Sequence, residues 1–75
     1  MPLAFVMVNI EPGTESKVEK QLKDVKNTKE VCFLYGIYDF IVRVESESTE
    51  DLRNSISNIR RLEDVRSTLT MAVAE

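Results

Sequence analysis

The segment Leu-Ala-Phe-Val-Met-Val-Asn-Ile, Leu3 to Ile10, is apolar at nearly every position and ends at Glu11-Pro12-Gly13. A β-forming run halted by Pro-Gly predicts a strand followed by a turn. The period then changes. Val18, Leu22 and Val25 fall at i, i+4 and i+7 with charged residues between them, which is one apolar helix stripe. Thr14 stands where an N-cap belongs, and Glu15 places negative charge in the first turn, where it suits the helix dipole. Lysines 17, 20, 23, 26 and 29 recur every third residue, so on a helix of about 3.6 residues per turn they wind around the cylinder and form no single basic face.

Residues 31–35 and 38–45 are two further strand-like runs, separated by Gly36-Ile37. That spacing predicts a hairpin through a type II′ turn, with Gly36 at the first central position. The second run alternates cleanly: Tyr38, Phe40, Val42 and Val44 face one way, Asp39, Ile41, Arg43 and Glu45 the other. Ser48 then opens a second helix with Asp51 at its third position, a capping box built with the shorter carboxylate. Leu52, Ile56 and Ile59 supply its stripe. Residues 65–74 alternate again, with Val65, Leu69, Met71 and Val73 on one face and Arg66, Thr68 and Thr70 on the other.

The order is β-α-β-β-α-β. Each helical connection is long enough to cross between parallel strands, and right-handed crossovers put both helices on one face. The expected fold is therefore α+β and ferredoxin-like, a four-stranded antiparallel sheet with two helices on one side, in a single domain over residues 1–75. Its first strand is apolar on both faces, Ala4, Val6, Val8 and Ile10 against Leu3, Phe5 and Met7. The second is similar, with Val31, Phe33 and Tyr35 opposed by Cys32 and Leu34. A solvated sheet face is mostly polar at its outward positions. At about 25 cal/mol per Å² of apolar surface removed from water, covering this one is worth several kcal/mol. With only 75 residues no chain is left to do so. The expected cover is a second copy, giving a homodimer through the sheets.

Charge and chemistry narrow the function. Thirteen acidic against ten basic residues leave a formal net charge of −3, opposite to what phosphate-backbone binding needs, so no nucleic-acid partner is expected. The chain holds no histidine, which removes the commonest general base, and its one cysteine, Cys32, can form no intramolecular disulfide. No catalytic residue, metal or cofactor is expected, and Cys32 reads as a packed side chain. No signal peptide or membrane-length apolar run is visible, so the expected location is cytoplasmic, with no membrane partner.

Three features carry candidate chemistry. Asp39 follows Gly36-Ile37-Tyr38 in apolar surroundings. Such a carboxylate either hydrogen-bonds backbone at a sheet end or accepts a ligand ammonium group, an interaction strengthened by low-dielectric walls. Gly36 serves a turn and also lets a ligand approach backbone N–H donors. Thr68 and Thr70, two apart, hold their hydroxyls on one strand face, either as β-formers or as a polar pocket wall.

The stretch Leu34-Tyr35-Gly36-Ile37-Tyr38-Asp39-Phe40-Ile41-Val42-Arg43-Val44, then a capped helix and Val65-Arg66-Ser67-Thr68-Leu69-Thr70, resembles the effector-binding module of the Lrp/AsnC family of regulators. Those modules show a Gly-x-aromatic-Asp segment opening the third strand and a Val-x-x-Thr-x-Thr pattern in the fourth. The resemblance spans essentially the whole chain. It implies dimers joined through their sheets, rings of dimers, and amino-acid effectors held at subunit interfaces. Carried over by position, Asp39 accepts the effector's α-ammonium, backbone around Gly36, Ile37 and Tyr38 receives its carboxylate, and Leu34, Thr68 and Thr70 belong to the pocket wall. Two departures stand out. The helix-turn-helix common in the family does not precede Leu3, so the chain resembles the stand-alone form, with full-length Lrp/AsnC-type regulators as further partners. Glu63-Asp64 replaces the usual Pro-Gly before Val65. The expected function is a non-enzymatic sensor. The alternatives are a pure assembly subunit without effector, an ACT-like amino-acid-binding domain, and an acylphosphatase-like enzyme, which the absence of an arginine at residues 11–13 disfavours.

Overall fold

A computed structural model describes residues 1–74. Its elements are β1 (Leu3–Ile10), α1 (Glu15–Asp24), β2 (Thr28–Phe33), β3 (Phe40–Glu45), α2 (Thr49–Arg60) and β4 (Val65–Ala72). The sheet order is β2-β3-β1-β4, and every neighbouring pair is antiparallel. β1 and β2 therefore run parallel with β3 between them, and β3 and β4 run parallel with β1 between them. Each split pair is joined by one helix, the ferredoxin-like βαββαβ arrangement.

Alternation decides what lies under the helices. Ala4, Val6, Val8 and Ile10 of β1 and Phe40, Val42 and Val44 of β3 are buried in one cluster with Val18 and Leu22 of α1 and Leu52 and Ile59 of α2. Leu3, Phe5, Met7, Ile41 and Arg43 take the opposite face, which no element of the described residues covers.

Both helix starts were legible, but their caps differ. Ser48 Oγ accepts the Asp51 amide at 3.1 Å, a side-chain N-cap. Thr14 occupies the N-cap position of α1 without capping it; its hydroxyl turns back and donates to the Glu11 carbonyl at 2.6 Å.

Three expectations need correction. The two-residue II′ hairpin at Gly36-Ile37 is instead a loop over residues 34–39, because the β2–β3 ladder ends at Phe33↔Phe40. Asp39 is drawn onto β1, its amide donating to Val8 O at 2.9 Å, and the chain before it swings out. β2 accordingly begins at Thr28 and stops at Phe33, ahead of Tyr35. Val65 does not share a face with Leu69 and Met71. The register moves from Asn9↔Ser67 to Ile10↔Val65, so Arg66 is the extra residue of a β-bulge and Val65 turns inward against the core. Thr68 and Thr70, opposite Val8 and Val6, consequently lie on the helix side of β4.

The β1–α1 and α2–β4 turns are tied together. Glu11 N donates to Asp64 O at 2.9 Å, and Lys17 Nζ meets Asp64 Oδ2 at 2.9 Å. The hydrogen bond and charge of Asp64, with Glu63 adding to them, raise the Lys17 pKa above its ordinary value.

Ile59→Ala, at a fully buried site, should cost about 2–5 kcal/mol, and Ser48→Ala about 1 kcal/mol. Thr14→Ala should cost less than Ser48→Ala, all three being read from urea midpoints. Because the folded-state pKa of Lys17 is raised, its contribution is complete below the unfolded-state value and disappears as pH climbs through the folded one. The stability difference between wild type and Lys17→Gln should therefore shrink in the alkaline range above pH 10 and stay constant near neutrality.

Candidate functional site

Asp39 is fixed at the end of the sheet by three hydrogen bonds. Its amide donates to Val8 O at 2.9 Å, its carbonyl accepts from Leu34 N at 2.8 Å, and its carboxylate Oδ2 accepts from Ile10 N at 2.9 Å. A carboxylate has about four lone-pair sites across two oxygens, so one amide contact leaves Oδ1 able to accept from a ligand. The backbone-binding role expected of a sheet-end carboxylate is thus present, and it orients the group.

The loop that delivers Asp39 projects from the body. Tyr35 is 95% and Ile37 86% exposed, while Leu34 and Tyr38 are half-buried. Gly36 has φ +143°, a left-handed conformation that side-chain-bearing residues rarely adopt. Open space surrounds the position where its Cβ would stand, so backbone strain, not crowding, selects glycine. Among the described residues, no hydrogen bond joins the amides of residues 35–38 to a protein acceptor. Phe33 braces the loop, packing edge-on against Tyr35 at 5.6 Å and against Phe40 at 5.3 Å between ring centroids.

Beside Asp39 opens a cleft of about 520 Å³, lined by Asn9, Ile10, Pro12, Asp39, Arg66 and Ser67. That size falls in the range of small-molecule sites, roughly 300–1,000 Å³. Asn9 Nδ2 donates to Ser67 Oγ at 3.2 Å across the β1–β4 pair. Arg66, re-aimed by the bulge, places its Nε 3.5 Å from Glu11 Oε2.

Of the residues singled out from sequence, only Asp39 lines this cleft. Leu34, Gly36, Ile37 and Tyr38 form the adjoining loop. Thr68 and Thr70 lie on the helix side of β4, with Thr68 lining a second hollow of about 210 Å³ that also takes in Arg60 and shares Arg66 and Ser67 with the cleft. Asn9, Pro12, Arg66 and Ser67 were not singled out; the one signal that bears on Arg66 is its place among polar residues two before Thr68.

The uncovered sheet face carries Phe5, Met7, Ile41, Leu69 and Met71, the last two 47% exposed. Arg43 crosses it, 3.5 Å from Glu30 and 3.3 Å from Glu45. Cys32 is not a core residue but is exposed at a small hollow of about 110 Å³ with Phe5 and Ile41. Among the described residues no cluster of His, Cys, Asp and Glu is arranged to hold a metal ion, and no helix is long and apolar enough to cross a membrane.

Comparison with known proteins identifies the family. The HTH-type transcriptional regulator FL11 of Pyrococcus furiosus is 31% identical over 71 residues, which cover 95% of this chain and 47% of that protein. This chain thus spans about half the length of that regulator. Homocitrate synthase of Sulfurisphaera tokodaii is 39% identical over 71 residues, covering 93% of this chain and 15% of the enzyme. The crystal structure of FFRP-DM1 matches with a TM-score of 0.91 and 33% identity, over 99% of this chain and 100% of that one. The family model for the Lrp/AsnC ligand binding domain matches residues 3–75, and the chain belongs to that family.

Proposed function

We propose that this domain is an oligomerising sensor that binds an amino acid or related metabolite beside Asp39 and changes its own assembly or that of a full-length Lrp/AsnC-type regulator. The observation that carries the reading is an oriented carboxylate, with one oxygen held by the Ile10 amide, at a cleft large enough for an amino acid. In this reading Asp39 Oδ1 takes the ligand ammonium and the amides of Gly36, Ile37 and Tyr38 receive its carboxylate, with Leu34 beneath the loop. Thr68 and Thr70 sit on the helix side of an edge strand, away from a sheet-to-sheet seam, so in this reading they contribute only through a further copy in a ring of dimers.

Assembly covers the apolar sheet face. Two strands of eight residues and two of six, at about 3.3 Å per residue and about 4.8 Å apart, give a face of about 440 Å². Two such faces together bury about 900 Å², close to the roughly 1,000 Å² of a small specific interface. We place the domain in the cytoplasm and assign it no reaction, since the chain lacks histidine and Asp39 already serves as a backbone acceptor. A second reading, a regulatory amino-acid-binding domain of an enzyme, draws on the match to a small part of homocitrate synthase. It uses the same cleft.

Asp39→Asn keeps an oxygen for the Ile10 amide and should fold like wild type. Asp39→Ala orphans that amide and should lose about 1–3 kcal/mol. In calorimetric titrations with the twenty amino acids, wild type should bind at least one and Asp39→Asn should lose it. Equal binding by Asp39→Asn removes Asp39 from the site, and no binding by wild type leaves an assembly subunit only. In sedimentation, wild type should run as a dimer or larger and Phe5→Glu should shift it toward the single chain. A wild type that sediments as a folded single chain overturns the assembly.

A further inference from the structure

The cleft beside Asp39 contains a second charged group that the reading above does not use. Arg66 is the unpaired residue of the β4 bulge, and bulges re-aim a side chain out of the strand's ordinary alternation. Here the bulge turns Arg66 toward the end of the sheet, where it lines the same cleft as Asp39. One wall of the cleft is thus anionic and another cationic.

Arg66 is already partly engaged. Glu11 Oε2 lies 3.5 Å from Arg66 Nε, a single long contact between side chains that are 54% and 60% exposed. A guanidinium carries five N–H donors in a planar fork, and a contact at Nε leaves its outer edge open to a bidentate carboxylate. Exposed ion pairs are weak, so this one yields readily to a better-placed anion. The backbone of Glu11 is pinned: its amide donates to Asp64 O at 2.9 Å, and its carbonyl accepts from the Thr14 hydroxyl at 2.6 Å. Displacement is therefore a side-chain swing that leaves the turn in place.

We propose that Arg66 is a second carboxylate-receiving group of the Asp39 cleft, and that Glu11, which does not itself line the cleft, competes for its guanidinium and is displaced by the ligand's carboxylate. The ligand class is a small zwitterion, ammonium on Asp39 and carboxylate toward Arg66, in a cleft that Asn9 and Ser67 also line. This rests on the sensor reading and adds a charged side-chain donor to the loop amides that meet the carboxylate. It also makes Glu11 a determinant of affinity.

The test is a double-mutant cycle read by calorimetry on wild type, Glu11→Gln, Arg66→Gln and the double variant. The probes are the tightest-binding of the twenty amino acids and the amine that lacks its carboxylate. Both positions are exposed, and circular dichroism confirms folding. Glu11→Gln should tighten the amino acid about 2- to 5-fold, the scale of an exposed ion pair, and leave the amine unchanged. Arg66→Gln should weaken the amino acid about 10- to 100-fold, the scale of a charged hydrogen bond, and narrow its advantage over the amine by the same factor. In the Arg66→Gln background, Glu11→Gln should do nothing. If Arg66→Gln binds the amino acid as tightly as wild type while Asp39→Asn does not, the loop amides hold the carboxylate: this proposal fails and the sensor reading stands. If wild type binds no amino acid, both fall.

Discussion

One layer of helices covers one face of the sheet, and everything else is arranged around that asymmetry. β1 does not by itself determine which of its faces goes under the helices, since Ala4, Val6 and Val8 alternate with Leu3, Phe5 and Met7. A one-residue slip exchanges one apolar set for another. The strand beside it settles the matter. Arg43 and Glu45 alternate with Val42 and Val44, and a slip would drive both charges beneath the helices, where their desolvation costs more than their mutual attraction returns. Size adds to this, because the small Ala4 and the valines leave room for Val18, Leu22 and Ile59, whereas Phe5 and Met7 would overfill the layer.

Asp39 joins folding to the candidate site. The carboxylate that holds the Ile10 amide is also the anionic wall of the cleft, so its orientation is set by the end of β1. The same corner gathers the start of one connection and the end of another. Glu11 of the β1–α1 turn is bonded to Asp64 of the α2–β4 turn, and Lys17 of α1 reaches Asp64 as well. The cleft is therefore bounded by parts of the chain that are distant in sequence but mechanically joined.

Much of the fold was legible because its signals are local. Period-two runs and i, i+4, i+7 stripes identify the strands and helices, and Ser48 marks a helix start by a hydroxyl that reaches only three residues ahead. The misreadings came from tertiary contacts. Gly36-Ile37 is a good hairpin signal between residues 31–35 and 38–45, but the pull of Val8 and Ile10 on Asp39 opens the turn into a loop. Strict alternation in residues 65–74 assigned Val65 to the wrong face, since a bulge depends on pairing with β1 and leaves no local mark. Arg66 escaped notice for the same reason. Cys32 looked like a core residue by type, yet its register opposite Ile41 puts it on the uncovered face.

The irregularities in the two outer strands have a consequence for how copies meet. β2 skips a residue at Lys29 between Thr28↔Val44 and Glu30↔Arg43, and β4 skips one at Arg66. An outermost strand with a straight ladder offers a template on which chain after chain can add, the route to open-ended fibres. Here each rim is interrupted by a surplus cationic residue, and an incoming strand loses step partway along. Growth by strand addition at either rim is thereby discouraged.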